Sequence, residues 1–191
     1  MGAGDDTVWA VVLGAVLATL GGFVATQLEG YFRRRERERG SALLFGELLT
    51  VIALLLKMAD ESRSRGEPYG PLTMRLLRGV QRKTETYDRN RESLYDLRDG
   101  TLRARIHTLM VRITLTIEGV FEAHDALALL KSAGDPIDAD AKMRAAAMDA
   151  SRQGSFDFLI ETSSQLAPLV AVLQPLSKQP IGDHEAIARA F

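Results

Sequence analysis

Residues 7–28 read TVWAVVLGAVLATLGGFVATQL, 22 consecutive residues without a charge, bounded by Asp6 and Glu29. As a helix rising 1.5 Å per residue this stretch is about 33 Å long, enough for a hydrocarbon core of roughly 30 Å. It predicts a transmembrane helix, with Trp9 at one end and Tyr31 and Phe32 at the other in the positions of interfacial aromatic belts. A secretory signal peptide would need a basic leader, whereas MGAGDD carries two acids and no base. A buried core helix this long would keep a polar stripe, and this one has none.

The flanks set the expected orientation. Arg33, Arg34, Arg35, Arg37 and Arg39 follow the span, diluted by Glu36 and Glu38, while Asp5 and Asp6 precede it. The positive-inside rule then puts residues 1–6 outside the cell, the anchor at 7–32, an Arg-rich juxtamembrane segment at 33–40 and everything after it in the cytoplasm. The same arginines are candidates for attracting anionic lipid. The imbalance continues downstream, with 17 basic against 11 acidic residues in 33–105 and 7 against 11 in 106–191.

Inside the span, Ala10, Gly14, Ala18, Gly22, Thr26 and Gly30 recur every four residues and form a stripe of small side chains on one helical face. Such stripes let helices approach closely, so homodimerisation through this face is one expectation.

The remainder reads as all-α. Ala, Leu, Arg and Glu are abundant, and β-branched runs are few. Leu44, Leu48, Val51, Leu55 and Met58 mark one helical face, broadened by Leu43, Phe45, Leu49, Ile52 and Leu56. Whether this helix continues from the anchor is open, since Gly30 and Gly40 are only weak breakers. A loop is predicted at 62–71, SRSRGEPYGP, then short helices at 72–80 and 84–97 with Leu76, Leu77, Val80, Tyr87, Leu94, Tyr95 and Leu97 buried.

Asp99 or Thr101 should cap a long helix whose heptads place Leu102, Leu109, Thr116, Ala123 and Leu130 at one core position and Ile106, Ile113, Val120 and Leu127 at the other, a bundle or coiled-coil seam. Ala133-Gly134 should end it, and Asp135 or Asp138 should cap a last helix that Pro168 kinks or divides. The economical packing is an antiparallel bundle of about four helices over 41–178, with a C-terminal tail at 179–191 in which Gln179-Pro180 and Gly182 set off a short amphipathic stretch, 183–191.

Chemistry is sparse. The chain has no cysteine, which excludes disulfides, thiolate metal sites and cysteine nucleophiles. Neither phosphate-binding glycine motif is present, nor His-Glu-x-x-His or Glu-x-x-His, so no cofactor or metal is expected. Glu118, Glu122 and Asp125, with His124 adjacent, share a helical face and are the best carboxylate cluster, more readily read as a solvated stripe. His107, His124 and His184 are scattered, and Ser163 and Ser164 have no base nearby in sequence. The segment 75–98 interleaves seven basic residues with Glu85, Asp88, Glu92, Asp96 and two tyrosines, a pattern of ion-paired helix surface rather than nucleic-acid contact.

The layout VVLGAVLATLGGFVATQLEGYFRRRERERG, followed by TETYDRNRESLYDLRDG, resembles that of bacterial single-pass membrane proteins with a cytoplasmic helical-bundle domain, a group without a characterised activity. The resemblance implies an inner-membrane location and no particular chemistry. Expected partners are therefore the lipid bilayer and a second copy or another membrane protein. The expected role is a non-enzymatic interaction or scaffold protein; a subunit of a sensing or transport assembly and a tethered enzyme are the alternatives.

Overall fold

A computed structural model describes residues 3–66, 68–132, 139–182, 184 and 186. Every element among them is helical: α1 Ala3–Arg65, α2 Pro71–Arg89, a 3-10 helix Arg91–Asp96, α3 Gly100–Ser132, α4 Ala139–Ser163 and α5 Leu166–Ser177.

The apolar N-terminal stretch, the arginine run and the first core helix are one element. α1 is 63 residues long, about 95 Å of continuous helix. Gly30 and Gly40 leave it unbroken, since a glycine costs an otherwise well-formed helix only about 1 kcal/mol. Its two halves have opposite surroundings. From residue 17 to residue 37 every side chain is exposed, and burial begins at Ser41 and Ala42. Two stretches, Leu17–Arg65 and Ala139–Ser177, are long and apolar enough to cross a membrane by length and composition. In the first, 44% of the most apolar window is buried inside the protein, and since burial begins only at Ser41 and the arginine run carries too many charges, that window lies wholly in the core half of α1, beyond the exposed segment.

The core line of α1 is Ala42, Phe45, Leu49, Ile52, Leu56 and Ala59, spaced alternately by three and four. This corrects the phase expected from sequence: Leu44, Val51 and Leu55 are half-buried and Met58 is exposed. α1 packs against α2 on one side and α5 on the other, so its buried arc is centred between the two, a phase that periodicity alone leaves undetermined.

α2 starts with Pro71 in its first turn, where the missing amide proton goes unneeded. It then runs unbroken through 81–83 to Arg89, where two short helices were expected. The chain next tightens into the 3-10 helix, whose three-residue repeat buries both Leu94 and Leu97 and turns Tyr95 outward at 76% exposure. Tyr95 was expected in the core; a 3.6-residue repeat carried through this segment mis-assigns it.

Asp99 caps α3 as expected, its Oδ1 accepting from the Thr101 amide at 2.8 Å and the Leu102 amide at 3.1 Å. On α3 the seam Leu102, Ile106, Leu109, Ile113, Val120 and Leu127 is buried. Thr116, Ala123 and Leu130 are only half-buried, while Met110 and Ile117 take core places. A straight helix drifts against a seven-residue repeat, and here the buried stripe has drifted with it.

α3 packs chiefly on α4, and α2 lies against both α1 and α3. α4 and α5 are divided at Ser164 and Gln165, whose amides bond three residues back at 3.2 and 3.1 Å. Pro168 then falls in the first turn of α5, where no helical bond is lost. The expected stop at Ala133-Gly134 and the caps at Asp135 and Asp138 lie outside the described residues.

Ile113→Ala should lower stability by about 2–5 kcal/mol in chemical denaturation, because it hollows a fully buried position. Leu115→Ala, 63% exposed on the same helix, should change it by no more than about 0.5 kcal/mol.

Candidate functional site

Just past the apolar half of α1, the helix face Gln27, Gly30, Tyr31, Arg34 and Arg37 lies opposite the end of the 3-10 helix, and the two enclose a cavity of about 760 Å³. Tyr95, Asp96 and Arg98 form the opposite wall. They are held against α1 by two contacts. The Arg98 amide donates to Glu38 Oε1 at 3.2 Å while its Nε lies 3.3 Å from Glu38 Oε2, and Ser41 Oγ donates to Asp96 Oδ2 at 3.4 Å. The Arg98 guanidinium also lies 5.7 Å from the Tyr31 ring centre. Arg98 is therefore committed, whereas Arg34 and Arg37 make no ion pair with any described residue.

The remaining arginines of the run differ from these two. Arg33 pairs with Glu29 one turn back at 2.5 Å, an exposed pair worth at most about 1 kcal/mol. Arg35 is exposed and lines no described cavity. Arg39 is half-buried, with an Nε that has no hydrogen-bond partner.

Of the small-residue stripe, Gly14 and Gly22 have no described atom beyond their chain neighbours and local helix backbone within 4 Å of where a Cβ would be, and Ala18 is exposed. Thr26 Oγ1 donates to the Gly22 carbonyl at 2.8 Å, within the same helix. No other described element covers this face; the Ala10 side chain lies outside the described residues.

The other sequence candidates occupy ordinary positions. Glu118, Glu122 and Asp125 are exposed, and among the described residues no three His, Asp or Glu side chains converge as metal ligands. His107 Nδ1 lies 2.8 Å from the hydroxyl of Tyr87, whose burial pushes its pKa up to about 12. His124 meets Arg152 at 3.3 Å. Ser163 and Ser164 donate to helix carbonyls of Ile160 and Glu161.

About 45 Å along α1 from the arginine run, a second basic cluster ties the helix end to α4. Arg63 lies 2.5 Å from Asp157 and stacks on Phe156, and Arg152 lies 2.5 Å from Asp149 and stacks on Tyr69 at 3.6 Å. Burial raises the Tyr69 pKa despite both arginines. These cations are matched by carboxylates within the cluster.

One arrangement had no signal in the sequence. After α5, Lys178 takes a left-handed conformation (φ 56°) and the chain turns back, with Gln174 Oε1 accepting from the Ile181 amide at 3.2 Å. Ile181 packs against Gly46, where a Cβ would collide with it. The Glu47 carboxylate accepts from the Gly182 amide at 2.5 Å and also meets His184 Nε2. The start of the expected free tail is thus clasped to α1, because a carboxylate and a side-chain gap fall on adjacent residues of that helix.

Comparison with known protein families, curated proteins and solved structures finds no match. Any functional reading of the chain stands on its own residues.

The Gly182 amide bond, outweighing the opposing effect of burial, and then His184 hold the Glu47 pKa below its ordinary value of 4.5. A depressed carboxylate contributes stability that is full above its unfolded pKa and is lost as pH falls through the folded value. Amide exchange at Ile181 and Gly182 should therefore be protected at neutral pH and lose protection in acid below the ordinary carboxylate range. Glu47→Gln should cost about 1 kcal/mol at pH 7 and remove that acid transition, the figure being small because the carboxylate is one-third exposed.

Proposed function

We propose that this chain is a single-pass membrane protein that holds a helical interaction domain at the cytoplasmic face of the inner membrane, where it docks a second copy or another membrane protein. One observation carries the reading. Leu17, Leu20, Phe23, Val24, Leu28 and Phe32 are exposed around α1, and nothing among the described residues covers them. Exposed apolar surface of this extent calls for another apolar phase. Lipid is the phase that fits a rod of this length, bordered by Trp9 and by Tyr31, Phe32 and the arginines.

In this reading the positive-inside rule keeps residues 33–191 cytoplasmic. The second half of α1 with α2, α3 and the α4–α5 pair forms an antiparallel bundle of about four helices. Ala139–Ser177, though apolar enough to span, stays in that bundle, where Phe156, Leu159, Leu166, Leu169 and Leu173 are buried. Partner contact is supported at two places. The uncovered Gly14, Ala18, Gly22 and Thr26 face permits close helix approach in lipid. On the bundle, a groove of about 410 Å³ between α1 and α5 is floored by Ala53, Leu54, Val170 and Ala171 and rimmed by Lys57 and Gln174.

The full chain should remain in membranes washed at alkaline pH, and a reporter fused after Phe191 should be active only in the cytoplasm. Crosslinking in those membranes should capture a copy or another membrane protein. Leu20→Arg with Phe23→Arg should release the chain, since each charge at the helix centre opposes insertion by about 2.5–3.5 kcal/mol. An unwashed chain already in the soluble fraction, or a reporter outside the cell, contradicts the proposal.

A further inference from the structure

The cavity at the foot of the exposed segment holds two guanidinium groups without carboxylate partners among the described residues, beside two tyrosines. Arg34 and Arg37 lie one turn apart on α1, and with Tyr31 they face Tyr95 across the gap. Glu38 neutralises Arg98, whereas Ser41 only donates a hydrogen bond to Asp96 and leaves its charge in place; Arg34 and Arg37 together still outweigh that one carboxylate, so the cavity retains net positive charge. Guanidinium forks match the oxygens of a phosphate, and phenol hydroxyls can donate to the same group. We propose that this cavity is a binding site for the phosphodiester headgroup of an anionic phospholipid, a deepening that rests on the membrane reading above.

The position of the cavity favours a lipid over a free anion. Its α1 wall begins at Gln27, inside the uncharged stretch, and ends at Arg37, so it straddles the level where hydrocarbon gives way to headgroups. Leu28 and Phe32, exposed next to Tyr31, give acyl chains an apolar path along the same helix. Helical side chains lean toward the helix N-terminus, which here is the bilayer, so Arg34 and Arg37 are directed back to the phosphates. The volume of about 760 Å³ lies within the range of small-molecule sites, roughly 300–1,000 Å³. The far wall makes this more than a basic helix end: the 3-10 helix turns Tyr95 out of the core, and Glu38 draws Arg98 against α1.

The site is tested on the full chain in phosphatidylcholine nanodiscs containing phosphatidylglycerol, with retained phosphatidylglycerol counted by native mass spectrometry. Two charge-matched variants separate a site from diffuse attraction, and both alter exposed residues only. Arg34→Gln with Arg37→Gln removes the cavity cations, whereas Arg33→Gln with Arg35→Gln removes the same charge from positions that do not line it. Retention should fall at least about tenfold further in the first variant, since the loss of even one of its two charge-assisted contacts has that effect. Equal losses in an incorporated chain overturn the site and leave the membrane reading intact. A chain that never enters nanodiscs overturns both. In nanodiscs of phosphatidylcholine alone, inorganic phosphate should give no thermal stabilisation; stabilisation matching that from phosphatidylglycerol would assign the cavity to a soluble anion and overturn the lipid assignment.

Discussion

The rest of the molecule depends on the unbroken hydrogen-bond ladder of α1. A helix satisfies its own backbone, so it can pass from one solvent to another without a break, and α1 carries two apolar segments with different surroundings. One segment is exposed from residue 17 to residue 32, meeting only the end of the 3-10 helix near Tyr31, and the other is covered by α2 and α5. The arginine run falls where covering stops. A rigid rod of this kind fixes the bundle relative to whatever surrounds its bare half, so the end of the 3-10 helix is held at a set distance from the apolar segment. Glu38, Arg98, Ser41 and Asp96 make that attachment, and the basic cavity exists because of it.

Much of the fold was legible in the sequence because burial in helices follows a short repeat. Part of the buried seam of α3, its Asp99 cap and a division just ahead of Pro168 were readable from one or two residues and a local rule. What was missed required knowledge of neighbours. The core phase of α1 is set by two flanking helices, neither of which leaves a mark on the α1 sequence. The 3-10 geometry of residues 91–96 changes the repeat from 3.6 to about three, and that exchange moves Tyr95 from the expected core to the surface. Continuity across Gly30 and Gly40 was undecided for the same reason, since two weak breakers lose to surrounding helix formers by only small margins.

The candidate site was half legible. Arg33, Arg34, Arg35, Arg37 and Arg39 were visible as a group, but their sorting into paired, cavity-lining and half-buried members depends on which face of α1 meets residues 95–98. Those residues are about sixty positions away in the chain, and nothing in either segment names the other. The Glu47 clasp on Gly182 and His184 lies further still from sequence logic: an isolated glutamate on an apolar helix reads as a surface residue until the returning tail supplies its donors. Conversely, Glu118, Glu122 and Asp125 share a face as their spacing requires and converge on no further ligand among the described residues.

The most direct test of the two-solvent rod uses the absence of cysteine, which lets a single introduced thiol carry a nitroxide label. Placed in turn from residue 17 to residue 45 of the full chain in lipid bilayers, the label reports collisions with oxygen, which prefers hydrocarbon, and with a water-soluble nickel complex. High oxygen and low nickel accessibility at every position to residue 28, crossing over through the arginines and becoming helically periodic beyond residue 41, is the predicted result. Nickel accessibility that is periodic or high between residues 17 and 28 would place the bare segment in water or against another protein, and would contradict a lipid-embedded α1.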